Sequence, residues 1–90
     1  SEMKPEMVNI SELVSKTLTR LEHVSKDQKC EFRIQSNLVV RADRPLIRTI
    51  VENLCSNAMK FSSKRETAII EFGMKIIEGE DVFYIKDNGV

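Results

Sequence analysis

Apolar residues first fall into a helical rhythm at Leu13, Val14, Leu18, Leu21 and Val24. Spacing of three and four predicts an amphipathic helix. Ser11 reads as its N-cap, Met7 to Ile10 as a short extended lead-in, and "KDQK" (Lys26 to Lys29) as its end. The rhythm then changes to two. Cys30, Phe32 and Ile34 alternate with Glu31, Arg33 and Gln35, which predicts a strand with one face buried. Asn37 reads as a turn and "LVVRA" as a second strand, so residues 30–42 are expected to form a hairpin. Asp43 can cap free N–H groups and Pro45 suits a first helical turn, so a second helix is predicted from about Arg44 to Phe61. After a polar loop (Ser62 to Glu66), the β-rich run Thr67 to Ile77, the turn "EGED" (Glu78 to Asp81) and the strand "VFYIKD" complete the chain. The expected order is β–α–β–β–α–β–β. That pattern predicts an α+β fold: a two-layer α/β sandwich with a mostly antiparallel sheet and both helices on one face.

Ninety residues make at most one small domain with a modest core, taken here as residues 1–90. Fourteen basic and fourteen acidic side chains cancel, with no basic block, so nothing points to nucleic acid or an anionic membrane. No apolar run approaches the roughly 20 residues that span a bilayer. Cys30 and Cys55 lack partners at metal-ligand spacing and read as buried free thiols in a reducing compartment.

The second helix carries the chemistry. Ile47, Ile50, Val51, Leu54, Ala58 and Phe61 share one stripe, expected to face the sheet. At about 100° per residue, Asn53, Asn57 and Lys60 lie together, roughly 80–140° from that stripe's centre. Glu52 falls on the other flank. Two readings stay open. The trio can be polar residues at a core boundary. It can also be a wall for a metal–phosphate group, since an amide oxygen suits Mg²⁺ and a lysine suits phosphate. "DNGV" after the last strand adds to the second reading. Asp87 there can accept a hydrogen bond from an exocyclic amine such as that of adenine, and Gly89 lets backbone approach a ligand closely.

"RTIVENLCSNAMKFSS" resembles the N box of sensor histidine kinases, of the form NLxxNAxKF, and "YIKDNGV" resembles the start of their G1 box, DxGxG. "ADRP" and "VNISELVSKTL" are similar to other segments of that family, so the likeness runs along nearly the whole chain. It implies the N-terminal portion of a Bergerat-type ATP-binding (GHKL) catalytic domain, with the rest of the fold outside these residues. By that resemblance Asn57 coordinates Mg²⁺ and Asn53 faces the phosphates or their metal-bound water. Lys60 contacts phosphate, Asp87 binds the adenine amino group, and Gly89 shapes the turn under the base. Phe61 matches an aromatic position that borders the nucleotide, or it is core.

Hydrolytic relatives carry a general-base Glu where this chain has Asn53, and an amide cannot take that proton. Transfer of the ATP γ-phosphate to a histidine on a separate dimerisation domain is therefore expected of the parent protein. Its further partner would be a response regulator receiver domain. His23, the only histidine, sits in a context unlike the phosphoacceptor's. The implied ligands are ATP or ADP with Mg²⁺, and the implied location is cytoplasmic, with any membrane anchor of the parent left open. The alternatives are an anti-sigma-factor-type serine kinase on the same fold, and a degenerate, non-catalytic protein-interaction module. These ninety residues alone are expected to be inactive and poor at binding nucleotide. Apolar surface left uncovered in them is expected to favour a homodimer.

Overall fold

The computed structural model describes residues 4–89. The elements follow the expected order: β1 (Pro5–Asn9), α1 (Ile10–Val24), β2 (Lys29–Ile34), β3 (Val39–Asp43), α2 (Arg44–Phe61), β4 (Thr67–Ile77) and β5 (Glu80–Asp87). The α+β class holds.

The strand partners correct one expectation: residues 30–42 are not a hairpin. β3 pairs antiparallel with β1, whereas β2 pairs parallel with β4. The turn between β2 and β3 is tied elsewhere. Leu38 O accepts from Ile10 N at 2.9 Å, and Ser11 Oγ bridges Gln35 O (2.5 Å) and Leu38 N (2.9 Å). Gln35 continues toward β4, donating its N–H to Phe72 O at 2.9 Å. The chain therefore leaves β2 and crosses over through β3 and α2 before returning in β4, the long connection that parallel pairing demands. β5 then folds back antiparallel on β4, giving a three-stranded unit in the order β2-β4-β5. Glu78 (φ 51°) and Gly79 (φ 80°) make that hairpin turn, both left-handed, as a two-residue turn between twisted strands favours.

α1 is capped two residues earlier than expected. Asn9 Oδ1 accepts from Glu12 N at 3.0 Å, which frees Ser11 to be buried in the bridge just described. At α2, Asp43 Oδ2 accepts from Leu46 N at 3.1 Å and Pro45 lies in the first turn, as expected.

The core is built by Ile10, Val14 and Leu18 of α1, Val51, Cys55, Ala58 and Met59 of α2, and Ile70 and Phe72 of β4. Phe72 stacks on Phe83 with ring centroids 6.2 Å apart. The buried face of α2 is thus turned by about 70° from the predicted stripe, counting about 100° per residue. Cys55 and Met59 go inside, while Ile50, Leu54 and Phe61 stay exposed. The reason is that α2 is flanked on one side by α1. Its other side looks over β5 onto a groove of about 400 Å³, lined by Ile47, Ile50, Leu54, Val82 and Phe83 among others.

Candidate functional site

α2 displays Asn53, Asn57 and Lys60 on its outer surface, all exposed. Measured from the observed buried face, they lie roughly 145–175° around the helix at about 100° per residue. They are a solvent-facing edge rather than a core boundary. Glu52, one position from Asn53, is engaged elsewhere: its Oε1 accepts from Arg20 Nη2 of α1 at 3.2 Å. No carboxylate of α2 itself joins the Asn–Asn–Lys edge.

Gly89, just past β5, meets the end of this helix. Gly89 lies so near the last residue of α2 that an added Cβ would overlap the Phe61 carbonyl oxygen, and it would sit 2.8 Å from Asp87 Oδ1. Only glycine fits that approach. Asp87 Oδ1 accepts from Gly89 N at 2.8 Å, which holds the turn and leaves the second carboxylate oxygen for another donor. Asn57 is one helical turn back from Phe61, about 6 Å along the axis, and Asn53 about 12 Å. The fold therefore brings Asp87 and Gly89 to the same end of the sheet as Asn57 and Lys60, with Asn53 a turn farther off.

Asn88 is the residue that sequence reasoning missed. Its Oδ1 accepts from Ile69 N at 2.9 Å and its Nδ2 donates to Thr67 O at 2.9 Å. Its backbone N–H donates to Ile69 O at 3.1 Å, and its carbonyl accepts from Arg65 Nε at 2.8 Å. The side chain continues the β4 ladder where β5 ends, so it fixes the direction in which Asp87 and Gly89 leave the sheet. An Asn between Asp and Gly reads as a turn residue, and nothing local marks it as a clamp.

The C-terminal end of a helix carries partial negative charge, which disfavours phosphate. Two serines offset part of that here. Ser62 Oγ donates to Ala58 O at 2.7 Å and Ser63 Oγ to Lys60 O at 2.7 Å, each a second donor to a last-turn carbonyl that already accepts a backbone N–H. Lys60 adds a full positive charge in the same turn.

Among the described residues no group of three or more His, Cys, Asp or Glu side chains is placed to hold a metal. Asn57 offers one neutral oxygen. That fits Mg²⁺, which keeps several waters and is carried largely by phosphate oxygens. Both cysteines are free, Cys55 fully buried and Cys30 half-buried. Burial pushes the Cys55 thiol up to about 11 and raises that of Cys30 as well. No described helix is long and apolar enough to cross a membrane.

The fold has solved counterparts. The nucleotide-free catalytic domain of the histidine kinase ThkA matches with a TM-score of 0.70 at 21% identity, over 98% of this chain and 60% of that one. The mycobacterial sensor histidine kinase MprB matches with a TM-score of 0.70 at 23% identity, over 96% of this chain and 56% of that one. The chain thus has the fold of part of a histidine kinase catalytic domain, and it spans less than two thirds of either matched chain. No protein-family model matches the sequence. No curated protein matches it either.

Proposed function

We propose that this chain is part of the ATP-binding catalytic domain of a sensor histidine kinase, the parent of which passes the γ-phosphate to a histidine on a separate dimerisation domain. The observation that carries the reading is the junction of Gly89 with Phe61. It puts a free carboxylate oxygen of Asp87 at the same end of the sheet as Asn57 and Lys60. The shared fold with two histidine kinase structures supports it independently.

Each residue then has a role its chemistry suits. Asp87 accepts a hydrogen bond from the 6-amino group of adenine. Gly89 keeps the floor beneath the base free of a Cβ. Asn57 lends its amide oxygen to Mg²⁺, Asn53 orients a phosphate oxygen or a metal-bound water, and Lys60 balances phosphate charge as a point cation. The magnesium ion, when bound, neutralises charge on the phosphate oxygens. Asn53 cannot act as a general base, and Glu52 is held by Arg20, which favours transfer to a protein side chain over hydrolysis. A response regulator receiver domain would accept the phosphoryl group from the parent.

The base offers the test. Guanine presents a carbonyl where adenine has its amine, and a carboxylate oxygen repels it. Thermal unfolding is measured with Mg-ADP and with Mg-GDP at equal millimolar concentration. Ligand at about ten times its dissociation constant adds roughly 1.4 kcal/mol, about 6–11 °C for a domain of this size. The reading expects ADP to stabilise more than GDP, with the difference gone in Asp87→Ala. Equal, measurable stabilisation by both nucleotides in the unsubstituted chain refutes it.

A further inference from the structure

We propose that Arg65, in the loop between α2 and β4, is a positioning residue for base selection, a role that rests on the nucleotide reading above. Its side chain sets which way the Asn88–Gly89 peptide faces, and so how Asp87 is held.

Asn88 is tied to β4 on the near side of that peptide. Its backbone N–H and both ends of its side chain bond to Ile69 O, Ile69 N and Thr67 O. One soft rotation remains, about the Asn88 Cα–C bond, and it swings the peptide that leads to Gly89. Two hydrogen bonds stop the swing, one at each end of the peptide. Arg65 Nε donates to Asn88 O at 2.8 Å, and Gly89 N donates to Asp87 Oδ1 at 2.8 Å. The C=O and N–H of a trans peptide point in opposite directions. With the carbonyl drawn toward Arg65, the N–H faces away from it, where Asp87 Oδ1 accepts. Packing against Phe61 limits where Gly89 can sit, whereas the two hydrogen bonds choose how its peptide faces.

Arg65 reaches the turn from a fixed base. Its backbone N–H donates to Ser62 O at 3.1 Å, and its carbonyl accepts from Gln28 Nε2 at 3.1 Å. It takes part in none of the ion pairs among the described residues. What it gives the turn is therefore a donor at the Nε position rather than a charge. Losing that donor frees the peptide to swing. The Gly89 N–H then leaves Asp87, and the carboxylate is no longer held where the adenine amine meets it. Only the fraction of chains with the turn in place binds well, which raises the apparent dissociation constant. The share of affinity that separates adenine from guanine is lost first, because it passes through Asp87.

Two substitutions separate the donor from the charge. Gln carries an uncharged NH₂ on the same carbon that bears Nε in Arg, whereas Met has a similar reach with neither donor nor charge. Arg65 is exposed, so both variants should fold, and far-UV circular dichroism verifies it. Amide NMR titrations of the ninety-residue chain with Mg-ADP and with Mg-GDP give the two dissociation constants. Arg65→Met should lower the preference for ADP roughly threefold to tenfold, the effect of one hydrogen bond. Arg65→Gln should keep the preference within about twofold. An undiminished preference in Arg65→Met overturns the proposal. So does an Arg65→Gln chain no better than Arg65→Met, which would give the effect to charge. Equal affinity for both nucleotides in the unsubstituted chain, or binding of neither at millimolar concentration, is a different result: it removes the nucleotide reading itself, and this role of Arg65 with it.

Discussion

Replacing Asn88 with Ala removes two side-chain hydrogen bonds, one to Ile69 N and one to Thr67 O. Each is worth about 0.5–1.5 kcal/mol net, so the loss is about 1–3 kcal/mol. For a domain of this size that is a fall in Tm of roughly 4–24 °C at 4–8 °C per kcal/mol. Asn88→Asp separates the clamp from simple turn preference. Asp and Asn suit turns about equally, and a carboxylate still accepts from Ile69 N. It cannot donate to Thr67 O, and it brings a charged oxygen against that carbonyl. Asp should therefore fail to rescue the Ala variant at neutral pH. Thermal unfolding followed by far-UV circular dichroism reads the stability of the three proteins. A loss under 0.5 kcal/mol for Asn88→Ala, or full stability in Asn88→Asp, would show that Asn88 does not clamp the end of β5.

Removing the α2 cap with Asp43→Ala should cost about 0.5–2 kcal/mol, read as a lower urea midpoint with an unchanged slope. Cys55 gives a pH dependence with a definite sign. Its thiol is pushed from 9.0 to about 11 in the fold, so the native state holds its proton more tightly than the unfolded chain. The stability this contributes is complete below about pH 9 and is lost as pH rises toward 11. Cys55→Ala should show a shallower decline over that window in urea titrations. For the same reason a thiol reagent at pH 8 should label Cys30 well before Cys55, and equal rates would contradict the burial of Cys55.

The element order was legible because periods of two and of three to four are written plainly into Cys30–Gln35 and Leu13–Val24. Asp43 and Pro45 marked the start of α2 by local chemistry alone. Strand partners were not legible. Asn37 between two short strands looks like a hairpin turn, and only the long-range contacts of Ser11, Gln35 and Leu38 show that the strands diverge. The apolar stripe on α2 was read correctly as apolar and wrongly as buried throughout. Ile50 and Leu54 belong to the groove side, and sequence period cannot tell a covered flank from an open one. The candidate residues Asn53, Asn57 and Lys60 came from their spacing, and Asp87 with Gly89 from a strand-end motif. That Asp87 and Gly89 lie near the end of α2 that carries Asn57 and Lys60 depends on the packing of Gly89 against Phe61, a tertiary contact.

The central claim is that one nucleotide site joins the exposed edge of α2 to the turn after β5. Amide NMR titration with Mg-ADP tests it most directly, since it detects binding even at millimolar dissociation constants. The account predicts that signals of Asn53, Asn57, Lys60 and residues 87–89 move together along one binding curve. It also predicts that Asn57→Ala and Asp87→Ala each weaken that curve by about tenfold, equivalent to about 1.4 kcal/mol. Shifts confined to one of the two groups, or curves unchanged in both variants, would contradict it.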